Sequence, residues 1–119
     1  MGTYLIQAAY TPEAWATLVD HPQDRSRPVQ AMIESVGGKL DAFYFAFGDY
    51  DVVSVAELPD DITAAAMAIA VSAGGSVKSI KTTPLLTAQG ALDALRRAGN
   101  VGYEPPTATP PSVTPMPAG

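Results

Sequence analysis

The sequence predicts an α+β domain with elements in the order β, α, β, β, α, β, and three observations carry that reading. Residues rich in strand formers recur at 3–10, 39–47, 51–58 and 76–86, separated by stretches with helical spacing. The second and third of these segments are divided only by "FGDY", which holds them antiparallel. The second and third strand segments are also apolar on both faces, as expected of a sheet covered on each side.

"TYLIQAAY" (3–10) forms the first strand and stops at "TPEAW", where Thr11 is placed to cap a helix and Pro12 sits where its missing N–H costs nothing. Trp15, Leu18 and Val19 continue that helix. "DHPQDRSRP" then breaks it, and Val29, Met32, Ile33 and Val36 resume the spacing, so two helical pieces are expected. Gly37 and Gly38 stop the second piece before "KLDAFYFAF". Gly48 is expected to supply positive φ in a two-residue hairpin, making Gly48→Val costly by about 1 kcal/mol or more. Pro59, Asp60 and Asp61 suit a helix N-terminus that runs to Gly74 and Gly75. "SVKSIKTTPLL" (76–86) reads as an edge strand, with Val77, Ser79 and Lys81 opposed to Lys78, Ile80 and Thr82. "TAQGALDALRRAG" (87–99) adds a short closing helix with Arg96 and Arg97 in its last turn.

This order is the split βαβ, ferredoxin-like plan: a four-stranded antiparallel sheet with helices on one side. The other side needs cover. Phe43, Phe45 and Phe47 alternate with Ala42, Tyr44 and Ala46, and Val53 and Val55 with Val52 and Ala56, so neither face suits water. A second copy packed sheet to sheet supplies that cover and gives a body of the dimeric α/β barrel type. Homo-oligomerisation through the sheet, with Phe43, Phe45 and Phe47 as interaction residues, is the expected consequence.

Composition narrows the function. The 119 residues allow one domain of about 100 residues (1–100) followed by a Pro-rich tail (101–119). A hydrophobic fraction of 47% against 16% charged favours a partner subunit. A net charge of −5 with seven scattered Lys and Arg disfavours nucleic acid. With no Cys there is neither a disulfide framework nor a thiolate nucleophile. "MGTYLIQAAY" lacks a basic leader, and the apolar runs are too short to span a bilayer, so a cytoplasmic protein without membrane attachment is expected.

"VGGKLDAFYFAFGDYDVVSVAELPDD" with "AAAMAIAVSAGGSVKSIKTTPLLT" resembles the GYD domain family over about residues 3–98, with Gly48, Tyr50 and Asp51 echoing its name. The resemblance implies a ferredoxin-like fold of the dimeric α/β barrel kind and carries no established reaction. The tail from Tyr103 onward departs from the family.

Candidate chemistry is sparse. In "GDYD", Tyr50 and Asp51 are a phenol and a carboxylate that could serve a pocket mouth, although a turn explains them as well. His21, the only histidine, stands at the helix break among Asp20, Asp24, Arg25 and Arg27, where it could act near neutral pH but is more simply read as a solvated or capping residue. Arg25, Tyr44 and Lys81 are the candidate ligand contacts, with Arg25 competing against ion pairing to Asp20 and Asp24. Trp15, Met32 and Met67 are read as packing. The two acidic residues near the turn fall short of a calcium loop, so neither a metal nor a cofactor is expected.

Two functions follow. One is a non-enzymatic oligomeric module that binds a small molecule or another protein. The other is a cofactor-independent oxygenase or isomerase in which His21, Tyr50 or Asp51 moves a proton beside an aromatic substrate; it requires a cavity of several hundred Å3 containing one of those groups. The tail "YEPPTATPPSVTPMPAG", with six prolines and Glu104 as its one charge, has the composition of a polyproline-like strap, with Tyr103, Val113 and Met116 as anchors on a neighbouring subunit or a larger partner.

Overall fold

The computed structural model describes residues 1–108 of the chain. Two compact units divide at Leu86 and Thr87. The first contains β1 (Gly2–Tyr10), α1 (Pro12–Asp20), α2 (Ser26–Ser35), β2 (Lys39–Phe45), β3 (Val52–Leu58), α3 (Asp61–Ala73) and β4 (Val77–Leu85), and the second contains α4 (Ala88–Ala98). The protein is α+β, with a four-stranded sheet in the order β2-β3-β1-β4 in which every neighbouring pair is antiparallel.

Local chemistry starts α1, α3 and α4 where the sequence reading places them. The Thr11 hydroxyl accepts the Ala14 N–H, the Asp60 carboxylate accepts that of Thr63, and the Thr87 hydroxyl accepts that of Gly90. Each cap satisfies a donor that the helix itself leaves unpaired.

Pairing across the sheet assigns its two faces. Tyr4, Ile6, Ala8, Ser54, Ala56 and Leu58 share one side, where Tyr4, Ala56 and Leu58 pack with Ile33 of α2 and Ala64 and Met67 of α3. This helix-bearing face is the core. Phe43 is paired with Ser54 and Phe45 with Val52, so both stand on the helix-bearing side, and Phe47 lies beyond the end of β2; the three do not form the open sheet face on which a second copy was expected to pack, because register with β3 sets the face. The opposite, open face is crossed by two continuous rows, Tyr44–Val53–Gln7–Lys81 and Ala42–Val55–Leu5–Thr83.

Three further expectations change. The β2–β3 connection is longer than a two-residue turn: the Ala46 N–H donates to the Asp51 carbonyl at 2.8 Å, enclosing Phe47, Gly48, Asp49 and Tyr50. The reason is that Asp51 is already held by β1, its N–H donating to the Ala8 carbonyl at 2.8 Å. Gly48 consequently does not adopt positive φ, which among the described residues occurs only at Gly37 (φ 84) and Gly75 (φ 80). Finally, a register shift between Ala9 and Tyr10 pairs Tyr10 with Val77 and skips Lys78. That bulge moves Val77 to the side of Ile80 and Thr82.

Gly38 is needed for a different reason from Gly37. A Cβ there would lie 2.6 Å from the Glu57 carbonyl oxygen and 2.9 Å from side-chain carbons of Ile33 and Leu58, the two most deeply buried large residues. At Gly48 a Cβ would meet nothing within 4 Å. Gly38→Ala should therefore cost about 1–3 kcal/mol by overpacking, whereas Gly48→Val should stay within about 0.5 kcal/mol. Urea denaturation of the two variants checks the contrast, and the reverse order would refute these assignments.

The buried Tyr4 phenol donates to the Asp61 carboxylate in the first turn of α3. That hydrogen bond, reinforced by burial and by the negative charges of Asp61 and Asp60, raises the phenol above its ordinary value. Its contribution to stability is complete below about pH 10 and is lost as pH climbs through the raised folded value. Asp60 is lowered by the Thr63 N–H, and Asp24 by Ser26, so their contributions are present above about pH 4 and vanish as pH falls through the lowered values. Melting temperature should decline at both extremes, and Tyr4→Phe should flatten the alkaline decline alone; an unaltered alkaline limb would contradict the coupling.

Candidate functional site

Small side chains open a cleft inside the first unit. Ala64, Ala68 and Val71 follow one face of α3 at helical spacing, and Ala8 lies beneath them on β1. Chains this short leave space between helix and sheet, a cleft of about 280 Å3. Its walls are chiefly apolar, with Met32 of α2, Met67 of α3 and Ile80 of β4 among them, and Ser54 and Thr82 add hydroxyls. The Ser54 hydroxyl donates to the Ile6 carbonyl at 3.3 Å, so it is already engaged.

Arg25 is the charged residue of this lining. Together with Tyr10 and Ser76 it also borders an adjoining depression of about 190 Å3, edged by Thr17 and Gln23. Arg25 therefore stands at the boundary between an apolar cleft and a more polar one. Its hydrogen bond runs from Nη1 to the Gln23 Oε1 at 3.2 Å. The neighbouring Asp24 carboxylate is occupied instead by the Ser26 N–H at 3.0 Å, the Ser26 hydroxyl at 2.5 Å and Arg27 at 3.6 Å. These contacts hold the Asp24 carboxyl below its usual value and leave the half-buried Arg25 without a carboxylate partner among the described residues.

The other nominated residues do not gather at the cleft. Asp51 serves the backbone: its Oδ2 accepts the Tyr10 N–H at 2.8 Å, beside the bulge where the β1 ladder changes register. Tyr50 is half-buried in the β2–β3 connection, and neither it nor Asp51 lines the cleft. His21 is exposed at the C-cap of α1, with its N–H donating to the Thr17 carbonyl at 2.8 Å and its own carbonyl accepting from Gln23. Tyr44 and Lys81 occupy opposite ends of one open-face row, about 14 Å apart across three strand spacings. Phe43 and Phe45 make an edge-to-face pair at 5.6 Å, Phe45 remains 48% exposed, and Phe47 is fully exposed in the connection. Tyr103 is exposed in the second unit, while Val113 and Met116 lie outside the described residues.

Sequence reading did not single out the cleft wall. The signal was available in "AAAMAIAV", where alanines at helical spacing face an alanine in β1, but alanine runs are also ordinary helix formers. Nothing local tells a helix face that closes on a sheet from one that leaves a gap.

The GYD domain model matches residues 4–95 of this chain. A protein of Thermus thermophilus, named glutamine synthetase and cystathionine beta-lyase binding protein, is 30% identical over 80 residues, or 67% of this chain and 84% of the relative. No solved structure gives a significant match.

The part played by Asp51 can be tested directly. Asp51→Ala removes the acceptor of the Tyr10 N–H and should cost about 1–3 kcal/mol, the penalty for leaving a buried donor unpaired. Asp51→Asn keeps an acceptor oxygen and should recover much of that loss. Chemical denaturation of both variants reads the difference; equal stability of wild type and Asp51→Ala would remove this role.

Proposed function

Because the chain belongs to the GYD domain family, we propose that it is a non-enzymatic binding module that assembles with a second copy through its open sheet face and docks onto protein partners. The open face carries this reading. Its centre is aliphatic, with Leu5, Val53 and Val55 half-buried within one chain and flanked by Tyr44, Gln7, Lys81 and Thr83. An aliphatic centre inside a more polar border is the anatomy of an interface between subunits. Sheet-to-sheet packing of two copies would bury that centre in a dimeric α/β barrel arrangement, and the strand order with β1 and β3 inside supports a ferredoxin-like plan.

A protein partner is supported by the relative whose name records binding to two enzymes. The proton-transfer alternative draws no comparable support, since His21, Tyr50 and Asp51 stand outside the cleft lining and the Asp51 carboxylate is committed to Tyr10. No described helix is long and apolar enough to cross a membrane. We place the module in the cytoplasm, with residues 1–100 as its domain and 101–119 as a tail that straps a subunit or partner.

Sedimentation equilibrium tests the assembly. The wild-type chain should be dimeric or larger at micromolar concentration, and Val55→Lys should shift it to monomer by burying an unpaired charge. Deleting residues 103–119 should lower the oligomer order or release a partner. A wild-type monomer would overturn the sheet interface, and an unchanged assembly and partner profile after deletion would overturn the strap.

A further inference from the structure

We infer that the cleft beneath α2 and α3 is a binding site for a small monocarboxylate with an apolar body, oriented by Arg25. The site lies on the helix-bearing side of the sheet, opposite the proposed assembly surface, so it stands independently of that proposal. Met67, Val71 and Ile80 provide the walls for an apolar body, and the volume of about 280 Å3 is at the small end of ligand pockets.

Arg25 decides the chemical class of the head group. Arg25 borders both the apolar cleft and the polar depression, and its Nη1 is hydrogen-bonded to Gln23 of the depression, so a ligand lying in the cleft would present its end to the guanidinium at the junction. The nearby carboxylate that would ordinarily neutralise it, Asp24, is taken by Ser26 and Arg27. A guanidinium pairs with a carboxylate through two parallel N–H···O bonds, strengthened where water is partly excluded. Charge selects further: among the described residues lining either cavity Arg25 is the charged one, so it matches a single negative charge and would leave the second charge of a phosphate monoester uncompensated. Gln23 already holds one guanidinium nitrogen by hydrogen bonding, which fixes the fork before a ligand arrives.

Isothermal titration calorimetry of the full chain with hexanoate, octanoate and decanoate tests the site, with 1-octanol as the uncharged control. At least one carboxylate should bind. Arg25→Met should weaken that carboxylate by about 10- to 100-fold, the loss expected for a charge-assisted hydrogen-bonded pair, while leaving 1-octanol within about twofold. In the wild-type protein, amide resonances of Ala68, Val71 and Ile80 should move on titration, a readout that needs no variant to fold. Failure of all three carboxylates to bind, an unchanged carboxylate affinity in Arg25→Met, or resonance changes confined to residues away from the cleft would each overturn the assignment.

Discussion

β1 and the way it ends organise the first unit. Like β3 it is paired on both sides, and its register is transmitted to β3 through one ladder and to β4 through the other. Pairing with β3 ends at Ala8, and beyond it the Tyr10 N–H is received by the Asp51 carboxylate, while on the β4 side the register shifts at the same residue. Thr11 then donates its N–H to the Ser76 carbonyl at 2.9 Å while its hydroxyl caps α1. Within two residues the chain closes one strand, anchors the approach to another and starts a helix. A buried donor without a partner at this junction would be costly, which is why a carboxylate from the hairpin is recruited there.

The same junction shapes the cleft. By skipping Lys78, the bulge brings Val77 beside Tyr10 on the helix-bearing side, where both line the cleft wall. Tyr10 is held edge-to-face against Trp15 at 5.3 Å, which fixes the first turn of α1 over the strand end. The break after α1 then returns the chain to the cleft mouth at Arg25. An acidic side chain that looks catalytic thus acts on backbone geometry, and a basic one that looks like part of a surface ion pair is left available.

The sheet separates two kinds of surface. On its helix-bearing side, Tyr4, Leu58 and Ile33 pack closely enough that Gly38 has no room for a methyl group. Further along the same side, alanines replace larger residues and the packing opens into the cleft. The opposite side keeps β-branched and aromatic residues in straight rows. α3 also exposes Ile62 and Ile69, seven residues apart, on its outer face, so apolar exposure is distributed around the unit.

Element types and order were legible in the sequence because they depend on local chemistry: the cap at Thr11, the acidic helix start at Asp60 and Asp61, the Gly37 stop, and apolar alternation each act within a few residues. The GYD resemblance was legible for the same reason, being carried by contiguous stretches that the family match covers. Alternation also separated Phe43 and Phe45 from Tyr44, but the side expected to meet a second copy is the side that faces the helices. That assignment, the length of the β2–β3 connection and the displacement of Val77 depend on register between strands distant in sequence, where one bulge reverses a face. The availability of Arg25 likewise follows from a competition among Asp24, Ser26 and Arg27 that only folded side chains resolve. Local propensity determined the elements; long-range pairing decided which side chains meet, because hydrogen-bond register is a property of two segments and is written in neither alone.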